Sequence, residues 1–374
     1  MPGRRPTRIL FLNQGQPLPK SAYGILRAQQ VLQAHFRPGP STVAKFRVME
    51  PFDRLERALV TPVPGLPGRG YSDLRWFATQ SVTARRIIRE EVRGWKPTVA
   101  HLAVNGAALL LPPLQAELPC VPSFDTTMSE WMRMMHRLPD DGRLPHAWRI
   151  LEELERRSLR AAPLAVSWTD HVRDGLRVMV PEARVETLHP GLDLTQFTPR
   201  AGRRRPGVPR ILFVGRRFRA KGGPALLEAA ETLARPVEVH VVTTDRVQPH
   251  PLMTVHRARA GTTDLADLFR DADLCCLPTT LDAAPWVILE AQASGLPTVS
   301  TTIGSIPELV PSDCGKVVPP GEPEALKQAI DGLLEDEGQR RTMGEAARAN
   351  VESRYDAERN TARLVELLSS VGGT

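Results

Sequence analysis

A chain of 374 residues is longer than one hydrophobic core normally serves, so two domains are expected. With 41% apolar and 24% charged residues it has ordinary globular composition, which excludes a disordered chain. The net charge of +7 is uneven, with 27 Lys+Arg against 18 Asp+Glu in residues 1–190 and 22 against 24 in the rest; aromatics at 5% and the lack of any DNA- or RNA-reading motif argue against a nucleic-acid partner.

The N-terminal stretch "MPGRRPTRILFLNQGQ" is basic, but its apolar core "ILFL" is too short for a secretory signal. It reads instead as a strand over 8–13, followed by the long loop "NQGQPLPKSAYG" and a helix. Strands are predicted next at 42–49, 98–104, 120–124, 164–167 and 185–188. Helical patterns separate them, notably "YSDLRWFATQSVTARRIIREEVRGW" and "WRILEELERRSLRAA". Strand and helix in strict alternation imply βαβ units and a parallel sheet covered on both faces. The longest apolar stretch, "VAHLAVNGAALLLPPLQAEL", is broken by His101, Asn105 and Pro112-Pro113, so no run approaches the ~18–20 residues a bilayer span needs.

Residues 190–210, "PGLDLTQFTPRAGRRRPGVPR", are rich in Pro, Gly and Arg without periodicity and read as a linker. The alternation then restarts, with strands at 210–215, 237–244, 252–258, 274–280 and 315–320 and helices between and after them. The expected fold is α/β: two doubly wound domains around a cleft, with ligands at the carboxyl ends of the strands. The four cysteines show no C-x-x-C spacing and read as buried small hydrophobes; no zinc site is expected.

Two loops carry chemistry. In "VGRRFRAKGGPALLEAA" a strand ends at Gly215 and a helix starts with Pro224 in its first turn. Arg216 and Lys221 precede that helix N-terminus, and Gly222 and Gly223 let backbone approach closely. Unpaired N–H groups, a helix dipole and two cations suit a diphosphate, although a solvated basic turn would look the same. No Walker motif occurs. In "LDAAPWVILEAQASGLPTVS" a strand-to-helix turn holds Asp282, and Glu290 lies eight residues on, inside the helix. Asp282 is either a helix N-cap or a cleft-facing carboxylate. Glu290 is flanked by apolar residues, so its carboxylate needs a partner there, and two ribose hydroxyls would supply one.

These motifs resemble the nucleotide-binding domain of retaining glycosyltransferases of the GT-B fold, glycosyltransferase family four. Gly215-Arg216 and Lys221-Gly222 match the family's first loop; Asp282, Glu290 and "AQASGLPTVS" match its second; "GSIPELV" and "RRTMGEAARANVESRYD" match its continuation. The similarity covers about residues 184–370; the first half matches only in its strand-helix rhythm and in its "HPGLDLTQFTP" exit. The resemblance implies that Arg216 and Lys221 hold the diphosphate of a nucleotide-sugar donor and stabilise the charge on the leaving group. It also implies that Glu290 takes the ribose diol and Asp282 the donor sugar. Same-face attack then needs no metal and no dedicated base. The chain departs from the pattern in having Asp282 where the family has Glu, and Asp125, in "SFDTTMSEW", where it has a first-domain His. Asp125 is accordingly expected at the catalytic site.

The division expected is residues 1–195 for the acceptor, 196–356 for the nucleotide sugar, and a last helix over 357–374 packing back on the first domain. Gly15, in the first strand-to-helix loop, is expected to approach the diphosphate. The methionine-rich "MSEWMRMMHRLP" is either core or an apolar wall for the acceptor. Glu308 is read as structural, the end of a capping box from Ser305. A nucleotide-sugar epimerase or phosphorylase on the same fold, or a noncatalytic binding module, are the rival readings. A phosphorylase would need a pyridoxal-binding lysine, for which none of the six lysines has an obvious setting. The cytoplasm is the expected location, and the basic first half together with "TARRIIREEVRGW" leaves peripheral contact with an anionic membrane face open against an anionic acceptor.

Overall fold

The computed structural model describes residues 6–14, 23–39, 41–49, 71–136, 144–200, 202, 207–258 and 262–373. The chain divides into two compact units, Met1–Gly191 with Glu358–Thr374, and Leu192–Ala357.

In the first unit the strands are β1 (Thr7–Gln14), β2 (Thr42–Met49), β3 (Val99–Leu102), β4 (Cys120–Phe124), β5 (Ala165–Ser167) and β6 (Val185–Thr187). The helices between them are α1 (Tyr23–His35), α2 (Tyr71–Arg93), α3 (Met128–His136), α4 (His146–Ala161) and α5 (Asp170–Met179). All the strands are parallel, in the order β2-β1-β3-β4-β5-β6. Side chains alternate across the sheet with a period of two, and β1 shows the consequence. Leu10 and Leu12 join a core with Ile87, Ile88 and Leu102, while Ile9 and Phe11 join another with Val99, Val121 and Val166. Each such burial contributes about 1.5–3 kcal/mol relative to exposure. The second of these cores also takes Leu364, Leu367, Leu368 and Val371 from the last helix of the chain, Ala357–Gly372.

In the second unit the strands are β7 (Arg210–Val214), β8 (Glu238–Val242), β9 (Met253–His256), β10 (Leu274–Leu277), β11 (Thr298–Thr301) and β12 (Gly315–Val318). Its helices are α6 (Gly223–Glu231), α7 (Thr263–Asp271), α8 (Trp286–Ala293), α9 (Ile306–Leu309), α10 (Pro323–Glu335) and α11 (Glu337–Arg354), and the last helix becomes α12. The sheet is again parallel, in the order β12-β11-β10-β7-β8-β9. The chain winds outward from β7 to β9, returns to pair β10 with β7, and winds out the other way. That reversal is the topological switch point where doubly wound sheets bind ligands.

Two expectations need amending. The predicted strand over 98–104 ends at Leu102, because Asn105–Ala108 turn into a 3-10 helix. The linker reading of 190–210 fails at its start. Leu192 and Phe197 are fully buried, Leu192 N–H donates to the Tyr355 carbonyl at 2.6 Å, and Arg348 donates to the Phe197 carbonyl at 2.8 Å. Two apolar side chains and these two hydrogen bonds hold the start of a Pro- and Gly-rich run. The four cysteines are buried and unbridged.

Candidate active site

The loop after β7 is shaped by glycines. Gly222 caps α6 with φ of 82°, the left-handed region, and a Cβ there would meet the Pro278 carbonyl oxygen at 1.9 Å. A Cβ on Gly223 would strike the Phe218 ring at 2.2 Å. The loop is held from behind by Phe218 N–H donating to Asp245 Oδ2 at 2.9 Å and Lys221 N–H donating to the Arg217 carbonyl at 2.9 Å. The Lys-Gly-Gly run therefore lies directly against the loop that follows β10, the strand next to β7 at the switch point.

Lys221 Nζ crosses to that second loop. It donates to the Leu281 carbonyl at 3.0 Å and forms an ion pair with Asp282 Oδ2. Both side chains are more than four-fifths buried. Two residues singled out separately, 61 positions apart, are thus joined. Asp282 is not a helix cap, because α8 is capped by Pro285 and starts at Trp286. Its loop rests instead on the Gly304 turn, where Ser305 N–H donates to the Ala283 carbonyl at 3.0 Å. Gly304 has a φ of 55°, and a Cβ there would sit 3.0 Å from the Asp282 carbonyl oxygen.

Arg216 is exposed on the first loop, with its carbonyl accepting from the Thr244 hydroxyl at 3.2 Å. Glu290 lies in the second turn of α8 and is 2% exposed. Its charge adds to burial in pushing the Cys275 thiol up to about 12. The capping box expected at Ser305 does not form. Ser305 is the N-cap of α9 but gives no side-chain cap bond, and Glu308 Oε1 accepts from Arg354 Nη2 at 3.1 Å. A carboxylate with a guanidinium in reach gains more from that pair than from a backbone N–H.

In the first unit, Asp125 follows β4 and lines a cavity of about 90 Å³ together with Gln14, Trp76, Gln80, Asn105 and Trp131. The cavity lies at the carboxyl ends of β1, β3 and β4, which is this sheet's own switch point. Gly15 lies outside the described residues. The methionine stripe divides: Met128 and Met132 are buried in a core with Trp148 and Leu151, while Trp131 and one side of Met128 face the cavity.

Glu155 was missed. It is fully buried on α4, with Oε1 accepting from Asn105 Nδ2 and Oε2 from Met128 N–H, both at 2.9 Å. Burial raises its pKa to about 8; those two hydrogen bonds oppose the rise, and the charges of Glu152 and Asp125 add to it. The clue in the sequence was periodicity, since Trp148, Leu151, Glu155 and Leu159 share one face of α4, and a carboxylate on a buried stripe is anomalous. Among the described residues no group of three or more His, Cys, Asp or Glu is placed to hold a metal ion.

Two family models match the chain: Glycosyltransferase Family 4 over residues 37–196, and Glycosyl transferases group 1 over residues 208–336. Among curated proteins, a D-inositol 3-phosphate glycosyltransferase of Corynebacterium urealyticum is 33% identical over 221 residues, covering 51% of this chain and 52% of that one. The chain spans about half the length of several curated relatives of that name. Among solved structures, a sucrose-phosphate synthase from Thermosynechococcus elongatus superposes with a TM-score of 0.73 at 17% identity, over 98% of this chain and 99% of the other. The Anabaena protein HepE in complex with UDP-glucose gives 0.67 at 16% identity, over 97% and 99%. These likenesses, with the two six-stranded parallel sheets, show the GT-B fold.

Proposed function

The chain belongs to the group 1, family four glycosyltransferases, and from that premise we propose that it moves a sugar from a nucleoside diphosphate to a hydroxyl of an acceptor, with retention at the anomeric carbon. The observation that carries the proposal is the Lys221–Asp282 pair at the switch point of the second sheet. A cation and a carboxylate held together there give one group for a diphosphate and one for sugar hydroxyls.

Lys221, Arg216 and the N-terminus of α6 would take the diphosphate. Lys221 must then exchange its bond to Asp282 for one to a phosphate oxygen, which releases Asp282 to accept from a donor-sugar hydroxyl. Glu290 would accept from the ribose hydroxyls. The bond from the anomeric carbon to the phosphate oxygen breaks, and the acceptor oxygen bonds on the same face. The acceptor proton passes to the leaving diphosphate, whose new charge Lys221 and Arg216 stabilise; such donors typically contribute ~10²–10³ in rate. Asp125 would meet the acceptor in the first unit. HepE was solved with UDP-glucose, so that donor is the first to try here.

We place the chain in the cytoplasm. For the basic-apolar segment the membrane alternative would rest on charge, because its Ile87 and Ile88 are buried in the core. The transfer itself is tested by incubating the protein with UDP-glucose and other nucleotide sugars, following nucleoside diphosphate release and the anomeric configuration of the product by NMR. An α-donor giving an α-product supports the proposal. Inversion, or a changed donor released without acceptor, defeats it.

A further inference from the structure

Glu155 sits in the middle of α4 with no exposed surface, and it joins three separate pieces of the first unit. Its Oε1 accepts from Asn105 in the 3-10 turn, and its Oε2 accepts from the N–H of Met128, the first residue of α3. Asn105 passes the tie on, because the same Nδ2 donates to the Thr126 carbonyl at 3.2 Å. One carboxyl thus pins the loop that carries Asp125 on two sides, at Thr126 and at Met128.

The start of α3 needs an acceptor there. A first-turn N–H finds no partner within its own helix, and this one is buried. An apolar side chain in place of Glu155 would leave it and one Asn105 hydrogen unmet, whereas a carboxyl offers an oxygen to each. The charge is the difficulty. α3 and the 3-10 turn face the carboxyl with neutral N–H groups. α2 packs on α4 through Leu74 and Phe77, and the second 3-10 turn is the apolar Pro112–Leu114. The charges that face it are those of Glu152 on α4 and Asp125 on the loop, both negative. Burial first, and those two charges with it, hold its proton on to a pKa of about 8 against the pull of both hydrogen bonds.

We propose that Glu155 is a positioning residue for the transfer: as the neutral acid it holds Asp125 and the start of α3 in place, and on losing its proton it lets them go. The proposal rests on the reading above that Asp125 meets the acceptor. A neutral carboxyl still accepts at its carbonyl oxygen and, more weakly, at its hydroxyl oxygen, so both ties persist. The carboxylate binds both donors more strongly, but it is then an enclosed charge beside two others of its own sign. It becomes stable only where water reaches it, and the loop over it is the piece that gives way. Trp131 lies one turn into α3, its N–H donating to the Thr127 carbonyl at 2.9 Å, so it moves with Met128. The consequence is a rate that depends on pH through a group that touches no substrate.

Trp131 reports the position of α3 without any ligand. Its share of the intrinsic fluorescence of the full chain, taken as the difference between wild type and Trp131→Phe, is followed from about pH 6.5 to 9.5, a window that brackets the group's titration. A one-proton change centred near pH 8 is expected. Glu155→Gln, which has no proton to lose, should show no such change. Asp125→Asn removes one of the two facing charges and should draw the midpoint to lower pH, which identifies the group even where Glu155→Gln fails to fold. UDP release from UDP-glucose is followed over the same range. In the wild type, kcat/KM should fall to about one tenth or less by about pH 9.5, as the protonated fraction falls. Glu155→Gln should lose that fall and exceed the wild type at the alkaline end, a rescue that a purely structural glutamate would not give. A wild-type Trp131 signal that is flat over this range overturns the proposal, as does a change near pH 8 that Glu155→Gln retains or Asp125→Asn leaves in place. Where UDP-glucose is not turned over, the donor reading is struck, and the fluorescence titration still decides this one.

Discussion

Lys221 is the residue on which the site turns, and its geometry makes Asp282 testable in a way that spacing alone did not. With Asp282→Asn the side chain keeps its shape and loses the charge that Lys221 faces. Folding stability should fall by about 1 kcal/mol, the scale of a partly buried ion pair. Nucleoside diphosphate binding should hold or tighten, because Lys221 no longer has to leave a carboxylate. Turnover should drop by at least about tenfold, since a charged bond to a sugar hydroxyl contributes roughly 1.5–3 kcal/mol. Calorimetry and a turnover assay on the same variant separate the two effects. Gly222→Ala makes the opposite point, with a Cβ forced to 1.9 Å from the Pro278 carbonyl oxygen and φ at 82°. That variant should lose more than about 2 kcal/mol in denaturant melts, or shift the loop and lose nucleotide binding. The residues of both loops were legible in the sequence, Glu290 because a carboxylate in an apolar helix is out of place as solvated surface, and Arg216 and Lys221 only through the resemblance of their motif. Their pairing was not, because it depends on β10 returning to β7's side.

Among the elements, α4 carries the clearest pH signature. Glu155 is held near a pKa of about 8, against 4.5 for an ordinary glutamate, chiefly by burial. The folded chain therefore binds this proton more tightly than the unfolded chain. Between about 4.5 and 8, stability contributed by this group falls as pH rises, at up to ~1.4 kcal/mol per pH unit, and levels off above that window. Glu155→Gln keeps one acceptor and the shape, and should flatten that slope in chemical melts recorded from pH 5 to 9. An unchanged slope would mean the carboxyl is already ionised when folded. Element existence was readable from alternation, and the strands at 42–49 and 120–124 fall where patterning put them. The cap left open at Asp282 and the cap expected at Ser305 are both absent for one cause. Asp282 and Ser305 sit where local rules favour capping, but Lys221 engages Asp282, and Arg354 engages the Glu308 of the expected box. Long-range charge outweighed local backbone bonding at both.

For the whole molecule, the sequence carried the α/β class and the doubled winding, because strict alternation admits few alternatives. It carried the second unit's site better than the first's. The first unit's cavity draws on β1, α2, the turn at Asn105–Ala108 and the loop after β4, and no short motif spans elements so far apart. At this scale too, the proposed division of labour between two cations and a helix N-terminus predicts that turnover survives excess EDTA, and full loss restored by a divalent ion would refute it. Ile87 and Ile88 of the basic-apolar segment are buried, so any pull of that segment on membranes is electrostatic, and sedimentation with anionic liposomes through it should vanish above ~0.3 M salt.

The most direct measurement is calorimetric titration of UDP, GDP, ADP and dTDP into the wild type and Lys221→Ala. If the switch point of the second sheet is the donor site, at least one nucleotide binds the wild type, and Lys221→Ala weakens it by about tenfold or more while the protein stays folded. Binding that Lys221→Ala leaves intact, or a wild type that binds none of the four, contradicts the account.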